Sequence, residues 1–188
     1  MNICFYGASS PDLDQRYTSA CTELGRFIAR RGHGVVFGGG TSGLMGAVAK
    51  GVKAESGTLI GISPRFFDKD GILDKECTEF IFTETMRERK QAMEEHSDAF
   101  IVAPGGIGTF EEFLEMLTLA QLGRHRKGIA IYNINGYYDG LIEFFKTCTK
   151  ERFIKESVFN LFGAFDDPEA LLDHLENYDG SRFVVDKY

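Results

Sequence analysis

The chain has no tryptophan, only four prolines and four cysteines among its 188 residues, and fewer cations than anions. Each shortage removes a class of explanation. Cys4, Cys21, Cys77 and Cys148 form no CxxC pair and have no histidine at ligand spacing. Neither a zinc site nor a disulfide framework is indicated, and reduced thiols in a cytoplasmic protein are expected. The 21 Lys and Arg against 28 Asp and Glu leave a net charge of −7, which disfavours a nucleic-acid partner. An anionic ligand must then be held by local features. The apolar runs are too short to span a membrane, and the start, Met1 to Gly7, lacks the basic segment of a signal peptide. It reads as a first strand.

What remains is the composition of an ordinary globular chain, 43% hydrophobic and 26% charged, able to bury a core without covalent staples. The length suits one domain over residues 1–188. Short apolar runs alternate with longer stretches of helical period, the pattern of βαβ units. Strands are expected at 3–6, 35–37, 59–62, 80–82, 99–103 and 129–132. The spacing of Leu13, Tyr17, Ala20, Cys21, Leu24 and Ile28 predicts an amphipathic helix that ends before Gly32. Further helices are expected at 41–55, 84–97, 109–122, 140–152 and 168–176. The expected fold is α/β: a single Rossmann-like domain whose mainly parallel sheet is flanked by helices on both faces. One irregular connection, 63–77, is long enough to be a lid or binding loop, or it is a plain solvated loop.

Three turns rich in glycine or small residues each follow an expected strand and precede an expected helix. They are Gly7-Ala8-Ser9-Ser10, Gly38-Gly39-Gly40-Thr41-Ser42-Gly43-Leu44-Met45-Gly46 and Pro104-Gly105-Gly106-Ile107-Gly108-Thr109. In a parallel sheet such turns lie at the carboxyl edge of the strands, where ligands bind. Glycine lets the backbone approach a ligand, and the following helix start offers N–H groups to a phosphate. The three turns are therefore expected to share one anion. Gly38, Gly40 and Gly43 spell a literal GxGxxG, but after the second strand rather than the first. The next strand ends Ile60-Gly61-Ile62-Ser63, with no acid to hold a ribose hydroxyl, so a dinucleotide cofactor is not indicated. A Walker A loop fails because Leu44 follows Gly43 where lysine is needed.

Two segments carry the candidate chemistry. Around Met86 to Met93, a helix places Arg89 and Lys90 on the stripe of Met86 and Met93, with Glu88, Gln91 and Glu95 opposite. Cations on an apolar side need an anionic partner, such as a ligand phosphate or Glu112, unless both snorkel to water. The second segment, Thr109-Phe110-Glu111-Glu112, has two readings. Thr-x-x-Glu is a capping box, which would tie Glu112 to the backbone of Thr109. Otherwise Glu112 faces the ligand. The same helix is apolar on two sides, with Phe110, Phe113, Leu114 and Leu117 on one and Met116, Leu119 and Ala120 on the other. That points to a dimer contact or to a helix wrapped by its own domain.

The run Pro104 to Glu112 matches PGGxGTxxE, and with it the chain resembles the LONELY GUY family of cytokinin riboside 5′-monophosphate phosphoribohydrolases, often mislabelled lysine decarboxylases. The similarity extends to the first two turns, to Met86-Arg87-Glu88-Arg89-Lys90, to Ala120-Gln121-Leu122-Gly123 and to Asn135-Gly136-Tyr137-Tyr138-Asp139. It implies a Rossmann-like homodimer with its active site near the interface. The implied reaction is hydrolysis of N6-substituted AMP, or AMP itself, with no metal and no organic cofactor. By the same resemblance Arg89 and Glu112 take the catalytic positions. Candidate binding positions are Ser9, Gly39, Gly40, Thr41, Gly43, Met86, Lys90, Gly105, Gly106, Ile107, Gly108, Thr109, Phe110, Glu111 and Thr118.

The chain departs from many relatives at Arg87, at Ser63-Pro64-Arg65, and at Gly71, where an acidic binding residue is absent in register and Asp70 is the nearest acid. These changes touch base selectivity more than chemistry. The rival reading is a non-catalytic nucleotide-binding or sensing module, which would keep the glycine turns without needing Glu112. A cofactor carrier is a third reading.

Overall fold

The computed structural model describes residues 1–69 and 71–180. Its strands are β1 (Asn2–Tyr6), β2 (Gly34–Phe37), β3 (Leu59–Pro64), β4 (Glu79–Thr83), β5 (Ala99–Val102), β6 (Gly128–Tyr132) and β7 (Gly163–Phe165). The helices are α1 (Gln15–Arg30), α2 (Gly43–Ala54), α3 (Met86–Glu95), α4 (Ile107–Gln121), α5 (Asp139–Lys150) and α6 (Pro168–Glu176). All seven strands join one parallel sheet in the order β4-β3-β2-β1-β5-β6-β7. The α/β expectation holds. Short β7 was not expected: with three residues beginning at a glycine, it carries too little apolar pattern to register as a strand.

The sheet is covered on both faces, which is why its strands read as continuous apolar runs. Alternate side chains divide between two cores. Ile3, Phe5, Val35, Phe37 and Ile101 pack with α1, α2 and α6, whereas Cys4, Tyr6, Val36, Phe100 and Val102 pack with α3, α4 and α5. Neighbouring β1 and β5 are followed by helices on opposite faces, α1 and α4. That divergence opens a crevice at the carboxyl ends of the two strands, the place where such sheets bind ligands. Among the described residues, no helix is long and apolar enough to cross a membrane.

The helices differ in how their first turns are satisfied. Asp14, Thr85 and Asp167 cap α1, α3 and α6 with their side chains. At the starts of α2 and α4, Ser42 and Gly106 offer no side-chain cap. The first N–H groups of those two helices thus have neither an intrahelical partner nor a side-chain substitute. Helix α4 starts two positions earlier than expected, with Gly106 as N-cap, so Thr109 lies inside the first turn and the capping-box reading is wrong. The same Thr-x-x-Glu spacing does mark a helix start at Thr85, whose Oγ1 accepts from the Glu88 N–H at 3.1 Å. Glu112 is therefore not tied to a cap.

Candidate active site

The three turns converge on a single cleft of about 710 Å³ at the β1/β5 crevice. Its walls include Ser9 and Ser10 from the first turn, Gly38, Gly40 and Thr41 from the second, and Gly106, Gly108 and Thr109 from the third. Arg89 and Glu112 also line it. Arg89 projects from α3, donates from Nη1 to Glu112 Oε1 at 3.0 Å, and donates from Nε to the Ile62 carbonyl at 3.3 Å. Only 11% and 12% of the two side chains are exposed. A Cβ on Gly38 would collide with Arg89 Nη2, so glycine there is what lets the guanidinium lie against the second turn.

Burial pushes the Glu112 carboxyl above its ordinary value, while the Arg89 charge and hydrogen bond pull the other way. A carboxyl so poised can hold and release a proton closer to neutrality than a solvated glutamate. Cys4 lies close enough to feel both Glu112 and Arg89, but burial pushes its thiol up to about 12, which keeps it protonated and unsuited to nucleophilic attack.

The other candidates divide. Ser9, Gly40, Thr41, Met86, Gly106, Gly108 and Thr109 line the cleft. Gly39, Gly43 and Gly105 are not among its lining residues. Gly39 and Gly43 have φ of +76° and +63°, and a Cβ at Gly43 would strike the Ala8 carbonyl. Thr41 has few free groups for a ligand: its N–H donates to the Ile72 carbonyl at 3.0 Å and its hydroxyl to the Gly71 carbonyl at 2.7 Å. The Leu44 N–H donates to the Ala8 carbonyl at 2.8 Å. These bonds narrow the expectation that all three turns present their amides to one anion. Among the described residues they leave the start of α4, and Ser9 and Ser10 of the first turn, without such bonds.

Lys90 is not in the cleft. It forms ion pairs with Glu111 and Glu115, the second at 3.0 Å. Burial acts to lower its ammonium, but hydrogen bonds to the two carboxylates win and hold it above its ordinary value. Both cations are thus paired with carboxylates, and the snorkelling alternative fails for Arg89 and Lys90 alike. Ile107, Phe110, Glu111 and Thr118 lie on another side of α4, along a separate apolar groove of about 570 Å³ with Leu114 and Leu119.

Some cleft residues escaped the sequence reading. Met45, Phe67, Ile72 and Leu73 form an apolar part of the wall. Three of them come from the irregular 63–77 connection, which is stitched to the second turn by a Gly40–Leu73 bridge and by the Asp74 N–H donating to the Gly39 carbonyl at 2.8 Å. Apolar residues in an otherwise polar loop, Phe67 and Ile72, were the available signal, and both are exposed in the structure. Asp70 lies outside the described residues. Among the described residues no cluster of His, Cys, Asp or Glu could hold a metal ion.

Comparison with known proteins shows the family of the chain. A family described as possible lysine decarboxylase matches residues 45–175. The cytokinin riboside 5′-monophosphate phosphoribohydrolase LOG5 of Arabidopsis thaliana is 38% identical over 98% of this chain and 85% of its own. LOG1 of the same plant, with the same activity in its name, is 36% identical over 94% of this chain and 83% of its own. The chain belongs to the LONELY GUY family. In structure, the LONELY GUY chain also resembles a molybdenum cofactor carrier protein from Chlamydomonas reinhardtii, with a TM-score of 0.70, 20% identity and coverage of 94% and 96% of the two chains. At that identity the likeness extends to the fold alone. The decarboxylase description fits this LONELY GUY member poorly, because among the described residues no lysine lines the cleft to form a Schiff base.

Proposed function

We propose that this chain hydrolyses the N-glycosidic bond of a purine nucleoside 5′-monophosphate, N6-substituted AMP or AMP, to the free base and ribose 5-phosphate. The observation that carries the reading is the shielded Arg89–Glu112 pair in a cleft walled by phosphate-compatible glycine turns. The names of the similar plant enzymes support the same reaction.

Bond cleavage at the anomeric carbon passes through an oxocarbenium-like state, which calls for nearby negative charge and an oriented water. In this reading Glu112 supplies both. Water attacks C1′, the bond to the base nitrogen breaks with its electron pair leaving on the base, and the proton lost by the water passes by way of Glu112 to the departing base, which restores the carboxylate. Arg89 keeps the carboxylate aimed at the sugar. The N–H groups at the start of α4 hold the 5′-phosphate, with Gly106 and Gly108 lining the approach. The apolar wall of Met45, Phe67, Ile72 and Met86 is left for the base and its N6 substituent.

A non-catalytic sensor would need the turns but not the buried ion pair, so the pair favours the enzyme. We also read the molecule as one domain over residues 1–188 acting as a homodimer. The exposed Ile107 and Leu114 on α4 support an interface beside the active site. The four cysteines are all free, in keeping with a cytoplasmic setting. The test is ribose 5-phosphate release from AMP and from N6-isopentenyl AMP. Wild-type turnover in Glu112→Gln or Arg89→Ala overturns the assignment.

A further inference from the structure

The turn that precedes α4 is held from behind at three successive carbonyls. Tyr138 Oη donates to the Ala103 carbonyl at 2.8 Å, the Ala8 N–H donates to the Pro104 carbonyl at 3.0 Å, and Tyr137 Oη donates to the Gly105 carbonyl at 2.7 Å. The two phenols sit side by side at the start of α5, their rings edge to face at 5.0 Å. A small polar ring aims them: Asn133 Oδ1 accepts from the Tyr138 N–H at 2.7 Å while Asn133 Nδ2 donates to Asp139 Oδ1 at 2.7 Å. Asn133 is itself anchored to β7 through its N–H and the Phe165 carbonyl at 2.7 Å.

A trans peptide points its C=O and the next N–H in opposite directions. Holding the Gly105 carbonyl on Tyr137 therefore fixes the Gly106 N–H pointing away from Tyr137. That peptide joins two glycines, the residues least able to resist a flip on their own. Turned over, it would present a carbonyl where it now presents a donor, and Gly106 lines the cleft.

We propose that Tyr137 is a positioning residue that latches the Gly105–Gly106 peptide in the orientation that donates to the substrate's phosphate. This rests on the hydrolase reading for what occupies the cleft. Tyr138 supplies an internal control, because the peptide it holds runs into Pro104 and has no N–H to present. Tyr138 is 1% exposed and its bond is buried, so loss of its hydroxyl leaves a buried carbonyl unpaired. Tyr137 is 43% exposed and its bond to the buried Gly105 is only partly buried, so its loss costs the fold less than the loss of the fully buried Tyr138 bond.

The experiment is calorimetric titration of the full chain with ribose 5-phosphate, paired with thermal unfolding and AMP kinetics, for wild type, Tyr137→Phe and Tyr138→Phe. Tyr137→Phe is expected to weaken ribose 5-phosphate binding about tenfold, the scale of one hydrogen bond to a charged group, and to unfold near the wild-type temperature. Tyr138→Phe is expected to unfold several degrees lower while binding within about twofold of wild type. Equal binding by Tyr137→Phe and wild type, or equal weakening by both variants, overturns the latch. A wild-type chain that binds ribose 5-phosphate yet frees no base from AMP or N6-isopentenyl AMP removes the hydrolase reading and leaves the latch in place.

Discussion

Arg89 and Glu112, on different helices and 23 residues apart in sequence, meet through a 3.0 Å hydrogen bond with about a tenth of each side chain exposed. Arg89 is the main charge acting on the shielded Glu112 carboxyl. Breaking the pair from one side leaves an uncompensated charge.

Arg89→Ala is accordingly expected to destabilise the fold by about 3 kcal/mol, and Arg89→Ala with Glu112→Gln to recover part of that loss. Urea unfolding of the two variants checks this, and a single variant as stable as wild type contradicts it. Turnover in Glu112→Gln should fall on the order of a hundredfold.

The pH dependence follows from the direction of the Glu112 shift. Its carboxyl is raised above 4.5 in the folded chain, chiefly by burial, so the folded state binds the proton more tightly than the unfolded state. That contribution to stability is complete below 4.5 and is lost as pH rises through the folded value. The urea midpoint of wild type relative to Glu112→Gln should therefore decline as the pH rises above about 4.5. A difference that grows with pH would show the opposite shift. If the carboxylate is the working form, the acid limb of kcat/KM should lie on the alkaline side of an ordinary glutamate.

Gly106 and Gly108 have no neighbour within 4 Å of the position a Cβ would occupy, and both line the cleft. Gly106→Ala and Gly108→Ala should change stability by no more than about 1 kcal/mol while raising KM for AMP about tenfold, because the methyl group occupies ligand space. Gly43→Ala should do the reverse and unfold the chain early, since its φ is +63° and its Cβ would meet backbone. Thermal melts and Michaelis plots separate the cases, and an unchanged KM in both Gly106→Ala and Gly108→Ala counts against phosphate at the start of α4.

If the outer side of α4 is a dimer contact, light scattering should give twice the chain mass. Leu114→Asp should then halve it and lower activity at the same time. Leu114 is 42% exposed and Ile107 84% exposed on that side. A wild-type monomer with full activity would remove the interface from the proposal.

The βαβ order was legible because buried parallel strands leave unbroken apolar runs, as at Ile3–Tyr6 and Ala99–Val102, and amphipathic helices leave a 3.6-residue stripe, as along α1. The site was half legible. Glycine turns and the stripe carrying Arg89 are local features. The state of Glu112 is not, because a capping box and a catalytic carboxylate share one spacing, and only the true start of α4 at Ile107 separates them. Nor could spacing divide Arg89 from its neighbour Lys90, whose partners Glu111 and Glu115 lie outside the cleft.

By itself, then, the sequence determined the architecture and the inventory of groups: a parallel sheet, three small-residue turns at its carboxyl edge, and an acid and two cations within reach. Tertiary structure decided which of them meet. The Arg89–Glu112 pair, the stitching of the 63–77 connection to the second turn, and the two phenols behind Ala103 and Gly105 all join residues from separate elements. Local pattern reports only periodicity and backbone preference. Pairing across elements depends on where the sheet brings their ends together.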